Sequence, residues 1–280
     1  MKKTKYSAHF NDTVLAISFS WPYYESIPLL KWMYQVFPII YFCGPPSAAL
    51  GDSRYREDIN VVSLGSGWSQ HRCLLSAIEK YPGKRGYFGS NDDLILNWWR
   101  LAQFDLDKVW LEPCKRWANI TTTGLVRNDF DPSSLLDGLG DPYPQGKAAL
   151  LKAYLNTTPE YQKRLSIYTG GRDIYCEGDP DFIYLPQKVA STFKEVVRPF
   201  DDVDVAFIYI YHSVVRGIVS DENIIKPKGV WMWGNEQRAN FAVLYGENAT
   251  LAHPLKLSHA AMREVVVAAF QKNLPGHPPD

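Results

Sequence analysis

Apolar, β-rich runs alternate with segments whose apolar residues recur every three or four positions through the first hundred residues of the chain. Val14 to Ser20 predicts a first strand and Glu25 to Phe37 a helix with Ile27, Leu30, Met33 and Tyr34 on one face. Ile39 to Cys43 and Asn60 to Leu64 predict further strands. Trp68 to Tyr81 predicts a helix burying Leu74, Leu75 and Ile78, and Gly86 to Ser90 a fourth strand. Strands that are apolar on both faces and separated by helices are covered on both sides, so the expected fold class is α/β with a Rossmann-like, mostly parallel sheet between helical layers.

The pattern changes after Trp117. Gly, Pro, Asp and Ser crowd Asp129 to Gly146, which predicts a long irregular connector. Helical spacing returns at Lys147 to Leu155 and Pro159 to Ser166, a short strand is expected at Phe182 to Leu185 and a helix at Ala190 to Val197. The long apolar segment Val203 to Val219 predicts a buried helix. No repeat, heptad run or low-complexity tract breaks the chain, so residues 1–280 are expected to form a single domain.

Composition removes several classes of function. The 280 residues are 46% hydrophobic and 14% aromatic, enough for a large core. Thirty basic residues balance thirty acidic ones, so no global field draws in nucleic acid or an anionic membrane, and a polyanion must be met by a local site. Cys43, Cys73, Cys114 and Cys176 are widely spaced, with no CxxC pair, which argues against structural zinc and a dense disulfide framework and for a reducing compartment. The basic start Met1 to Lys5 has no apolar segment behind it, so no signal peptide is expected, and no apolar run approaches the ~18 residues of a membrane span. The sequons at Asn11, Asn119, Asn156 and Asn248 are then chance matches, and a soluble, cytoplasmic protein is expected.

The candidate chemistry lies in Gly86-Tyr87-Phe88-Gly89-Ser90-Asn91-Asp92-Asp93-Leu94-Ile95-Leu96-Asn97-Trp98-Trp99. An apolar strand stops at two adjacent carboxylates, which repel each other and lose hydration unless a cation offsets both costs. Asn-Asp-Asp is also what a turn or helix cap looks like. The pair stands at the carboxyl end of a strand, the edge where open α/β sheets bind ligands. Hard oxygen ligands there suit Mg²⁺ or Mn²⁺ holding a diphosphate.

With these residues in view, the GYFGSNDDLILNWW segment resembles the metal-binding strand end of GT-A-fold glycosyltransferases. Asp181 to Gln187 followed by Val203-Asp204-Val205-Ala206 is similar to the stretch before the catalytic acid of exostosin-like and STELLO-like transferases, and His253 to Ser258 resembles their C-terminal segment. In size the chain looks most like the soluble xylosyltransferases of chlorella viruses, which build capsid glycans; a viral protein of that kind would act in the host cytoplasm. The resemblance implies a metal-dependent, inverting transfer of a sugar, xylose from UDP-xylose, to a glycan acceptor such as fucose. The first ~117 residues would bind the nucleotide and residues 118–280 the acceptor.

The resemblance also implies roles. The usual DxD is here Asn91-Asp92-Asp93, so Asp93 takes the metal and Asp92 supports it, with His253 as a third protein ligand and Lys256 as a point charge near the leaving diphosphate. Asp204 is the expected base, with Asp201 and Asp202 as competitors. Ser18, Phe19, Ser20 and Trp21, closed by Gly44 and Pro45, would meet the uracil; His71, Arg72 and Asn91 would meet ribose or diphosphate. Trp98, Trp99 and Trp233 would stack on the acceptor, and the Trp98-Trp99 pair would crowd the C6 position of a hexose. Two other classes stay open on the residues: a carbohydrate-binding module, and a metal-dependent phosphatase or nuclease, for which six histidines at these spacings offer few ligands.

Overall fold

A computed structural model describes residues 6–45, 55–64, 69–113, 116–121, 124–126, 152–168, 174–178, 181–202, 207–234, 240–246, 249–272 and 274. The expected connector at 129–146 and the expected base, Asp204, lie outside them, as does Asp181's predecessor Pro180.

The strands are β1 (Thr13–Ser18), β2 (Ile39–Gly44), β3 (Ile59–Val61), β4 (Gly86–Asn91), β5 (Ile95–Leu96), β6 (Val109–Leu111), β7 (Arg116–Thr121), β8 (Gly124–Val126), β9 (Ile174–Glu177), β10 (Phe182–Pro186), β11 (Ile224–Ile225), β12 (Gly229–Trp231) and β13 (Leu251–His253). Seven of them form the main sheet in the order β11-β6-β10-β4-β1-β2-β3. The pairings β1/β2, β1/β4, β2/β3 and β6/β11 are parallel, whereas β10 runs antiparallel to both β4 and β6. This is the Rossmann-like layout of the GT-A fold, and strands from both halves of the chain build it.

The alternation along each strand divides the core into two layers. Leu15, Ile17, Phe42, Phe88, Phe182 and Tyr184 point to one face, where α1 (Ile27–Met33) packs through Ile27, Leu30 and Met33. Val14, Ala16, Tyr41, Tyr87, Ile183 and Leu185 point to the other, against α2 (His71–Lys80). On the first face also lie α3 (Trp98–Leu101) and, near the C-terminus, Phe241 and Phe270. Helix α4 (Pro159–Tyr168), α5 (Gln187–Asp201) and α6 (Phe207–Arg216) cover the second, through residues such as Tyr161, Phe193 and Val214. Helix α7 (Phe241–Gly246) and α8 (Ala260–Gln271) follow towards the C-terminus. Among these residues no helix is long and apolar enough to cross a membrane.

Several expected boundaries move. The first helix is shorter than its apolar pattern: a 3₁₀ turn over Tyr24–Ser26 leads into it, Pro28 sits in its first turn, and it is over by Tyr34, four residues before Pro38. The predicted 190–197 helix is longer, because Pro186 and Gln187 start it directly from β10. Leu75, assigned to the buried side, is only half-buried, and Cys73 and Ala77 take that role. The cysteine expectation needs correction too. Cys43 at the end of β2 and Cys73 in the first turn of α2 form a disulfide, with Cα atoms 5.7 Å apart. Thirty residues of separation hide a pair that the parallel sheet brings together. A disulfide is not the chemistry of a reducing compartment, so the location expected from cysteine spacing loses its basis.

Candidate functional site

β4 ends at Asn91 in the middle of the main sheet, with β1 on one side and β10 on the other. The chain then turns through Asp92 and Asp93, where the Asp92 amide donates to the Ser18 carbonyl (3.1 Å) and the Leu94 amide to the Asn91 carbonyl (3.3 Å). It leaves as β5, which joins a second sheet of order β12-β13-β5. β13 pairs antiparallel with β5 in the register Leu251↔Leu96 and Ala252↔Ile95, so the next step of the ladder sets His253 beside the Asp-Asp turn. The Leu255 amide donates to the Asp93 carbonyl (2.8 Å) and fixes the approach. Two segments 160 residues apart are thereby closed on one carboxylate.

Asp93 is almost fully buried. His253 Nε2 lies 3.1 Å from its Oδ1, and the Lys256 ammonium is ion-paired to its Oδ2. Burial alone would raise the Asp93 carboxyl, but the His253 hydrogen bond and the charges of His253 and Lys256 outweigh it and hold it well below the usual carboxylate range. Asp92 goes the other way: burial pushes its carboxyl up and the neighbouring Asp93 charge adds to that, with Lys256 and His253 only partly compensating. Lys256 is held above its ordinary value because the Asp93 and Asp92 charges outweigh its own burial, and His253 likewise because of Asp181 and Asp93. Adjacent carboxylates with opposite shifts mark a corner that holds the Asp93 charge readily and resists a second charge on Asp92.

A divalent ion fits this donor set in one way. Two carboxylate groups and an imidazole are hard-to-borderline ligands acceptable to Mn²⁺ or Mg²⁺. Yet among the described residues no three His, Cys, Asp or Glu side chains already converge as a cage. An ion here would be held by Asp93, Asp92 and His253 only together with oxygens brought by a ligand, the habit of Mg²⁺-type ions on phosphates.

The other expected residues divide. Ser18 is in the corner, its hydroxyl donating to Asn91 Oδ1 (2.9 Å). Phe19 is fully buried against Tyr24 and Phe42, so it is a core ring rather than a platform for a base; Ser20 is half-buried, and Trp21, 58% exposed, is an open aromatic of that loop, as is Tyr23. Gly44 has no room for a side chain, which would collide with the Tyr24 ring. His71 and Arg72 are taken up elsewhere: both reach Asp201 Oδ1, at 2.8 and 2.6 Å, and Arg72 also donates to the Ser63 carbonyl (3.2 Å). Asp202 is exposed at the end of α5.

Trp98 is fully buried, with its indole N–H on the Met33 carbonyl (2.9 Å), so it can neither stack on an acceptor nor crowd a sugar. Trp99 packs edge-on against Trp98 and Phe270. Trp233, 67% exposed, and Trp231 set their rings edge-on to the His253 imidazole, at centroid distances of 5.5 and 5.6 Å. Residue-by-residue reading missed Asp181, which accepts a hydrogen bond from Asn91 Nδ2 and places Oδ2 3.5 Å from His253 Nδ1. The available signal was an acid immediately ahead of the apolar run Phe182 to Leu185, in the acidic stretch that also holds Glu177 and Asp179.

No known protein-family model matches the chain. Two proteins of Arabidopsis thaliana are similar to it: one described as "Probable glycosyltransferase STELLO1", 22% identical over 195 residues, and one as "Probable glycosyltransferase STELLO2", 20% identical over 198. The matches take in 67% and 68% of this chain but only 23% and 24% of those proteins, so it spans about a quarter of their length. The similarity is that of a glycosyltransferase-like chain.

Proposed function

We propose that the protein is a metal-dependent glycosyltransferase that moves a sugar from a UDP-sugar to a glycan acceptor. The observation that carries this is the corner at the end of β4, where two adjacent carboxylates, Asp92 and Asp93, stand at the ligand edge of the sheet with His253 and Lys256 converging on Asp93. Mn²⁺ or Mg²⁺ bound there would neutralise charge on the departing diphosphate. Lys256 exchanges part of its contact with Asp93 for a phosphate oxygen, a gain that accrues as negative charge builds on the leaving group. The exposed face of Trp233, beside His253, offers an apolar surface to a sugar ring. Asp204 is the assigned base: its carboxylate takes the acceptor hydroxyl proton while the acceptor oxygen bonds to C1 and the C1–phosphate bond breaks, with inversion. UDP-xylose is the proposed donor, on the resemblance to algal-virus enzymes; the burial of Trp98 removes the steric argument for it.

Calorimetry of UDP with and without Mn²⁺, followed by hydrolysis of a panel of UDP-sugars, tests the reading. Tight UDP binding only with metal, and preferred turnover of UDP-xylose, are expected. UDP affinity indifferent to Mn²⁺ and EDTA would overturn the metal assignment, and sugar binding without any nucleotide affinity would favour a carbohydrate-binding module.

A further inference from the structure

Asp181 enters the corner from an unexpected direction. Because β10 is antiparallel to β4, with Phe182 opposite Ser90, it is the beginning of β10 that reaches the ligand edge, and Asp181 stands opposite Asn91. Its side chain is buried, and its two oxygens face two different groups. Oδ1 accepts from Asn91 Nδ2, while Oδ2 lies 3.5 Å from His253 Nδ1, the ring nitrogen turned away from Asp93. The Ser18 hydroxyl fixes the other end of the Asn91 amide by donating to its Oδ1. Hydrogen bonds thus join Ser18, Asn91 and Asp181, and Asp181 meets the far side of the His253 ring as an ion-pair contact.

We infer that Asp181 is a positioning residue: its carboxylate orients the His253 ring so that Nε2 addresses Asp93 and the donor-binding corner, and Asn91 is the amide that holds Asp181 in place. The inference rests on the proposed reading of that corner. A carboxylate is required because both partners present N–H groups; an amide at 181 could accept from only one and would oppose a donor to the other. Carboxylates behind an imidazole ligand set its tautomer and ring angle, and their loss typically weakens metal binding ~10- to 100-fold. The Asn that interrupts the acidic triplet therefore has a purpose: an acid at 91 would face Asp181 with no proton between them.

The reciprocal exchange tests this. Asp181→Asn is expected to raise the Mn²⁺ concentration at which UDP binding is half-maximal by roughly tenfold or more, and to change the ¹⁵N shifts of the His253 ring without metal or UDP. The double variant Asn91→Asp/Asp181→Asn restores a donor between the two positions and leaves an amide oxygen for His253, so it should recover both readouts. Wild-type Mn²⁺ dependence and unchanged His253 shifts in Asp181→Asn, or a double variant as impaired as the single one, would overturn the inference. If the wild type binds no UDP, the reading of the corner fails, and the ring shifts alone still decide whether Asp181 orients His253. A drop in melting temperature with neither readout changed would assign Asp181 a purely structural role.

Discussion

Two carboxylates in this molecule have nearly the same company and different fates. Asp93 is met by His253 and Lys256, Asp201 by His71 and Arg72, each an acid between an imidazole and a cation. At Asp201 the account is closed. Arg72 is further committed to the Asp201 and Ser63 carbonyls, and the cluster ties the start of α2 to the end of α5. At Asp93 a second carboxylate, Asp92, is covalently adjacent and its charge is resisted by burial. Composition of a cluster does not separate a clamp from a binding site. The balance of charge over the next neighbours does.

The sharpest way to break this contrast is at the aromatic residues around it. Trp98→Ala is expected to cost about 3–5 kcal/mol, because it empties a fully buried site, whereas Trp233→Ala should leave the melting temperature within a degree or two and raise the acceptor KM several-fold. Equal destabilisation by both would show that Trp233 is packing. The next largest effect is expected on binding: Asp93→Asn should weaken Mn²⁺-dependent UDP affinity by roughly 100-fold, about 2.7 kcal/mol, with an unchanged circular dichroism spectrum. Asp201→Asn should leave that affinity within a few-fold and lower stability by roughly 1–2 kcal/mol, since its partly exposed charged hydrogen bonds are weakened by solvent. Loss of UDP binding in Asp201→Asn would place the clamp in the site.

The smallest expected effect concerns pH. Burial works to raise the Asp201 carboxyl, but the hydrogen bonds from His71 and Arg72 outweigh it and leave it below its ordinary value. A depressed carboxyl contributes stability that is fully present above its unfolded value near ~4 and is lost as pH falls through the folded value. Urea midpoints of wild type and Asp201→Asn should therefore converge below about pH 4. A gap that persists there would mean that the carboxylate charge is not what the clamp uses.

Much of the sheet was legible because it is built from local pattern: unbroken β-rich runs in Val14 to Ser18 and Gly86 to Ser90 marked the strands and put the acidic pair at the ligand edge. The Asp93, His253 and Lys256 grouping also emerged, through the resemblance. What the pattern could not carry is pairing at a distance. Nothing near Phe182 marks β10 as reversed, nothing near Ala252 marks it as the partner of Ile95, and His71 and Asp201 are 130 residues apart. Periodicity reports which face of a strand is apolar, not which strand lies beside it. Trp98 failed for a related reason: a tryptophan beside a polar motif reads the same whether its ring meets solvent or the Met33 carbonyl.

The reversal of β10 has one more consequence, for how such a protein can change. A strand that ends at the ligand edge delivers its following loop there, but β10 delivers the chain that precedes it. Lengthening or replacing that incoming chain leaves the ladder from Phe182 to Pro186 intact, and each doubling of its length costs only about 0.6 kcal/mol in closure entropy. The rim of the Asp92-Asp93 corner can thus be rewritten over generations while its acidic floor stays fixed.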